Sequence, residues 1–215
     1  MTADYKKIRE EMVKNQLVPR GINNKNVLDA MRTVPREKFV LDKYKNRAYG
    51  DGALPIDSGQ TISQPYIVAA MIQLIKPKKE DKILEIGTGS GYAAAVLARI
   101  ADEVYTVERI AELAKKAEKR FKDLNYSNIM VKTADGTLGW EEYSPFDKII
   151  VSAAAPSVPE KLKKQLTEEG IMIVPVGEKG GIQQLMLIKR ESADEFSCRE
   201  LDYVRFVPLI GENGY

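Results

Sequence analysis

The stretch Leu84-Glu85-Ile86-Gly87-Thr88-Gly89-Ser90-Gly91 narrows the folds open to this chain more than any other. An apolar run, Lys82–Ile86, has the length and composition of a buried strand, and a helix-like pattern starts at Tyr92. Three glycines at alternate positions between them exceed what an ordinary strand-to-helix turn requires. Glycine there permits a tight turn and lets a ligand approach the backbone at the carboxyl edge of a sheet. Downstream, strand and helix patterns alternate. Strands are predicted at Lys82–Ile86, Glu103–Val107, Ile129–Thr133, Lys148–Val151, Ile171–Pro175, Leu185–Lys189 and Val204–Val207, with Pro175 weakening the end of its strand. Helices are predicted at Tyr92–Ala101, Ile110–Leu124 and Glu160–Glu168. That alternation implies an α/β fold with a mostly parallel, doubly wound sheet and helices on both faces.

The N-terminal third reads differently. Tyr5, Ile8, Met12 and Leu17 recur at helical spacing, ended by Pro19 and Gly21, and a short helix follows around Asn26 to Arg32. Lys43 to Gln60 reads as loop. Ser63 suits an N-cap and Pro65 a first helical turn, ahead of an apolar run from Ile67 to Ile75. The expected organisation is a single domain over residues 1–215, with a helical, substrate-side extension at 1–77 and a cofactor-binding core at 78–215.

Composition removes several chemistries. The chain has no histidine and one cysteine, Cys198. Histidine-based triads, His-ligated zinc, a disulfide framework and Cys-based metal sites are all excluded, so no metal is expected. Lys+Arg 33 and Asp+Glu 31 nearly cancel, which gives no electrostatic reason to expect nucleic acid or a membrane as partner. Met1 to Glu11 lacks the apolar core of a signal peptide, and the protein reads as cytoplasmic and monomeric.

The glycine spacing is informative. A dinucleotide-binding fingerprint would place its third glycine at position 92, which is Tyr; here it stands at 91, after an acid at Glu85. The pattern resembles motif I of class I S-adenosylmethionine-dependent methyltransferases, which share a Rossmann-like fold. Glu108, at the end of the second strand, is placed to accept hydrogen bonds from ribose hydroxyls, a role that dehydrogenases and methyltransferases share. Asp135-Gly136 follows the third strand, where the aspartate can meet an adenine amino group or simply make a turn.

Further motifs are more specific. Thr61-Ile62-Ser63-Gln64-Pro65-Tyr66, Val107-Glu108-Arg109-Ile110, Pro145-Phe146-Asp147, Ala153-Ala154-Ala155-Pro156, Pro175-Val176-Gly177 and Val204-Arg205-Phe206-Val207-Pro208-Leu209 accompany the glycine loop. In this order they resemble the protein-L-isoaspartate O-methyltransferases over most of the chain. Some relatives carry His at the position of Tyr66, and eukaryotic ones Thr at that of Ile210. The resemblance implies methyl transfer from S-adenosyl-L-methionine, leaving S-adenosyl-L-homocysteine, to the α-carboxylate of L-isoaspartyl residues in damaged proteins and peptides. D-aspartyl residues are a further candidate substrate. It assigns Ser63 as the active-site residue and Gln60, Thr61, Ile62, Ser63, Glu85, Gly87, Gly89, Ser90, Gly91, Glu108, Arg109, Asp135 and Gly136 to the cofactor. Ser63, Val207, Pro208 and Leu209 are assigned to the substrate. A purely structural reading makes Ser63 a helix cap and the Val204–Gly211 segment a plain edge strand.

A carboxylate nucleophile has a pKa of about 4 and is ionised at neutral pH, so no general base is required. That accords with a chain free of histidine. The alternatives are a class I methyltransferase acting on another carboxylate or a macromolecule, a nicotinamide-dependent oxidoreductase, and a catalytically silent nucleoside-binding module. Asn213-Gly214 is itself a sequence at which succinimide forms readily.

Overall fold

A computed structural model describes residues 4–215. Its centre is a seven-stranded sheet in the order β5-β4-β3-β6-β7-β8-β9. The strands are β3 (Lys82–Ile86), β4 (Glu103–Glu108), β5 (Ile129–Thr133), β6 (Phe146–Val151), β7 (Leu166–Gly177), β8 (Gln183–Arg190) and β9 (Phe196–Val204). β3 to β7 pair in parallel, whereas β7, β8 and β9 form an antiparallel meander. A small ribbon of β1 (Leu54–Pro55) and β2 (Thr61–Ile62) precedes them. The chain winds outward from β3 through β4 to β5, then returns to place β6 on the other side of β3. The crevice at the carboxyl ends of β3 and β6 is therefore the switch point, where open α/β sheets bind ligands.

Strand periodicity sorts the core into two layers. On β3, Ile83 belongs to one hydrophobic cluster, while Leu84 and Ile86 belong to the other. The first layer holds α1 (Tyr5–Met12), α2 (Lys25–Thr33), α3 (Pro65–Ile75), α4 (Tyr92–Leu97) and α5 (Ala111–Asp123). Met12, Leu17, Val27 and Met31 from the N-terminal helices share that core with Ile150 and Ile173 of the sheet. The second layer is thinner, with α6 (Glu160–Lys164) and an aromatic group of Tyr105, Trp140, Tyr143 and Phe146. Helices do lie on both faces, but most crowd one of them.

Several sequence expectations change. The helix expected over Glu160–Glu168 stops at Lys164, and its last turn is the start of the twelve-residue β7. Pro175 is tolerated near the end of β7 because the pairing with β6 ends at Ile173; beyond it Pro175 contributes its carbonyl, which accepts from Ala155 N–H at 2.9 Å. The last strand is Phe196–Val204 rather than Val204–Val207. It is a largely exposed edge strand whose polar residues hide it from periodicity. After Val204 the chain leaves the ladder and runs over β6, with Ala154 N–H donating to Val207 O at 2.8 Å and Leu209 N–H to Ala154 O at 2.7 Å. Finally, α3 is capped at Gln64, not Ser63, and Pro65 occupies its first turn as expected.

Candidate active site

The glycine loop leaves β3 at the switch point and is held against the end of β4. Gly87 N–H donates to Val107 O at 2.9 Å, and Gly91 N–H donates to Thr88 O at 2.7 Å. Gly91 has φ +87°, and a Cβ there would lie 2.6 Å from Cζ of Phe121, so no other residue lets α5 pack this close. Glu108, nearly buried at the end of β4, accepts from Gly89 N–H and from Ile110 N–H, both at 2.9 Å. Each carboxylate oxygen keeps a second lone-pair direction for a ligand hydroxyl.

Glu108 faces a cleft that is open to solvent on one side. Its lining joins Gln60 and Thr61, the loop residues Gly87 and Gly89, Glu108 to Ile110, Gly136, Ser152 and Val207 to Ile210. Thus Arg109 and all three expected substrate residues, Val207, Pro208 and Leu209, stand on this cleft. Gly136 keeps its floor flat, since a Cβ there would meet Cγ2 of Ile86 at 2.6 Å. An acidic hydroxyl acceptor, a flat apolar floor and exposed loop backbone suit a nucleoside with a short polar tail. S-adenosylmethionine fits that description.

Asp135 is placed otherwise than expected. Its Oδ1 accepts from Thr137 N–H (2.8 Å) and the Thr137 hydroxyl (2.7 Å), and its Oδ2 accepts from Glu212 N–H at 2.8 Å. Burial would raise its pKa, but those hydrogen bonds hold it below the usual carboxylate value. Asp135 therefore anchors the C-terminal segment behind the cleft, while Gly136 lines the cleft itself. In the same tail Gly214 N–H donates to Gly211 O at 3.1 Å.

Beneath the loop lies a second, smaller cavity of about 340 Å³, shared by Thr61, Ile62, Ser63, Glu85, Ser90 and Tyr92 among others. Glu85 is buried, and burial pushes its pKa up to about 8 against the opposing hydrogen bond from Thr106 Oγ1 at 2.6 Å. Its carboxyl carries a proton at neutral pH until a cation arrives beside it. Thr88 Oγ1 extends the chain to Thr106 Oγ1 at 2.6 Å.

Ser63 lines this cavity and also an open groove of about 900 Å³ on the outer side. Its carbonyl is held by Nη2 of Arg36 at 2.8 Å. Arg36 is fully buried, with Nε donating to Ala48 O at 2.7 Å and the guanidinium 4.7 Å from the centre of the Tyr92 ring. Nothing in the sequence signalled Arg36, because a charged residue between two helices reads as surface. Ser152 on the first cleft was also missed. Its position one residue past β6, beside the loop strand, is the signal that would have found it. Tyr66 faces away from both clefts and is covered by Arg20, 3.4 Å from its ring centre.

Comparison with known proteins agrees with this geometry. The family described as Protein-L-isoaspartate(D-aspartate) O-methyltransferase matches residues 7–214. The Protein-L-isoaspartate O-methyltransferase 2 of Marinobacter nauticus is 52% identical over 212 residues, covering 99% of this chain and 97% of that one. The Protein-L-isoaspartate O-methyltransferase 1 of Geotalea uraniireducens is 53% identical over 207 residues, 96% of this chain and 94% of that one. Among solved structures, a protein-L-isoaspartate O-methyltransferase superposes with TM-score 0.87 at 29% identity, covering 96% of this chain and 67% of its own. A Plasmodium falciparum protein described as a protein-L-isoaspartate O-methyltransferase in complex with S-adenosyl-L-homocysteine superposes with TM-score 0.82 at 26% identity, covering 94% and 98%. The chain belongs to the protein-L-isoaspartate(D-aspartate) O-methyltransferase family.

Proposed function

We propose that this protein is a repair enzyme that methylates the free α-carboxylate of L-isoaspartyl residues in damaged proteins and peptides. It is a transferase dependent on S-adenosylmethionine, built on the Rossmann-like class I fold. One observation carries the site reading: Ser63 stands on both the cavity under the glycine loop and the open groove, where a peptide carboxylate and a cofactor would meet.

Bound S-adenosylmethionine supplies an electrophilic methyl group. Glu108 would hold the ribose hydroxyls and Gly136 would underlie the adenine. Gly87, Gly89, Ser90 and Gly91, with Gln60, Thr61 and Ile62 opposite, would surround the remainder. Arg109 would flank the cleft mouth. Glu85 would accept the amino group at the amino-acid end, giving up its own proton to solvent. The Ser63 hydroxyl, which has no hydrogen-bond partner among the described residues, would orient the substrate carboxylate. Val207, Pro208 and Leu209, proposed for the substrate side, would wall the cleft along the cofactor. A carboxylate needs no proton removed before it attacks, so orientation is the chain's main contribution, worth roughly 7–11 kcal/mol in favourable systems. Many strong donors would instead stabilise the starting charge, which is lost in the transition state. A lone hydroxyl suits that balance.

We read the chain as one domain, with residues 1–77 as the substrate-side extension; the hydrophobic cluster shared by Met12, Met31, Ile150 and Ile173 supports this. It is proposed to act as a cytoplasmic monomer on protein and peptide substrates, D-aspartyl residues among them, without nucleic acid or membrane. Among the described residues no helix is long and apolar enough to cross a membrane, and no three His, Cys, Asp or Glu gather as for a metal. Replacing Ser63 by Ala tests the site: the methylation rate should fall by roughly one order of magnitude, the scale of one hydrogen bond of ~1.4 kcal/mol, with cofactor affinity kept. A covalent adduct on Ser63, trapped during turnover, would contradict the orienting role.

A further inference from the structure

The open groove beside Ser63 has a composition that points to more than general peptide binding. Five large hydrophobic side chains are exposed among the described residues, and the two most exposed, Ile182 (65%) and Tyr203 (75%), both line this groove. They come from the β7–β8 turn and from the end of β9, opposite Ser63 and Gln64 at the start of α3. Arg205 and Phe206 line the groove as well, and Arg205 is the one charged residue in the lining. It is exposed and makes no ion pair among the described residues.

Arg205 does not reach the cofactor side. Thr61 and Ser63 line both the groove and the cavity under the glycine loop, whereas Arg205 lines the groove alone. The reacting carboxylate must approach the loop, so it sits with Ser63, and the group beside Arg205 belongs to a neighbouring residue of the same peptide. A cation paired directly with the nucleophile would also oppose the reaction by stabilising charge that the transition state loses.

Resting on the isoaspartyl reading above, we propose that this groove is a specificity subsite for the residues flanking the damaged position, with Arg205 selecting an acidic side chain and Ile182 with Tyr203 clasping an apolar one. Rim charges act mainly on encounter and selectivity, and their effect weakens with salt.

The test uses the intact protein and isoaspartyl peptides identical except for Glu, Lys or Gln beside the isoaspartyl residue. For the wild type, kcat/KM should favour the Glu peptide over the Lys peptide by roughly threefold at low salt, the scale of an exposed ion pair. In Arg205→Glu the order should invert, moving the ratio by about tenfold, and 0.5 M salt should compress it in both proteins. Tyr203→Ala should lower kcat/KM most for peptides with a flanking Leu. A Glu/Lys ratio unchanged by Arg205→Glu overturns the subsite, including the case where all peptides slow equally because Arg205 acts on the reacting carboxylate. Failure of the wild type to methylate even the Gln peptide would overturn the methylation reading instead. Peptide affinities of the same pairs, by fluorescence anisotropy, then decide the subsite separately.

Discussion

Nη2 of Arg36 donates to the carbonyl oxygen of Ser63 at 2.8 Å, from a guanidinium that no solvent touches. The same group reaches Ala48 O and stacks near Tyr92, the first residue of α4. Arg36 thereby ties Ser63, just past β2, and the N-terminal extension to the helix that follows the glycine loop. Burial pulls the pKa of Arg36 down to about 10, so it stays charged at neutral pH.

Arg36→Met should strand one buried and one half-buried carbonyl and cost about 2–6 kcal/mol of stability, at ~1–3 kcal/mol for each unsatisfied group. Urea denaturation measures that loss. In the folded fraction kcat should fall more than cofactor affinity, because the lost contact holds Ser63 rather than the cofactor cleft. Arg36→Lys, which keeps a charge and one hydrogen bond, should recover part of both quantities.

Glu108 holds Gly89 and Ile110 and faces the cleft. Glu108→Ala should weaken S-adenosylhomocysteine binding by roughly 10- to 100-fold, since hydrogen bonds to charged groups are worth about 1.5–3 kcal/mol. Titration calorimetry gives the number. The peptide KM at saturating cofactor should move much less.

Glu85 predicts a pH dependence of the ligand-free protein. Its folded pKa, about 8, lies above the ordinary 4.5. The folded state therefore binds the proton more tightly than the unfolded one. The contribution is fully present below pH 4.5 and is lost as pH rises towards 8, by at most about 1.4 kcal/mol per unit. Glu85→Gln should flatten that slope in denaturant titrations between pH 5.5 and 8. An unchanged slope would place the titration elsewhere.

The sequence disclosed the parts of this protein that are local. β3 matches its predicted range because a short apolar run meets a glycine turn, and β5 matches for a similar reason. The loop, Glu108 and the Thr61–Ser63 motif were legible by type and order. What stayed hidden depends on partners far away in the chain. Arg36 finds its acceptors at Ala48 and Ser63, and Asp135 finds donors at Thr137 and Glu212. β9 shows little alternation because, as an edge strand, most of its side chains meet solvent. Ser63 read as a helix cap since Ser before Pro is a common start; the backbone places the cap one residue later.

Ser63 and the glycine loop together direct the methyl group to isoaspartate and not to aspartate. Transfer of labelled methyl from S-adenosylmethionine should be measured for an isoaspartyl peptide and its aspartyl twin, each with the base-labile ester quantified. The isoaspartyl peptide should be labelled rapidly and its twin at most to background. Equal labelling of the two, or labelling of neither, would contradict this assignment.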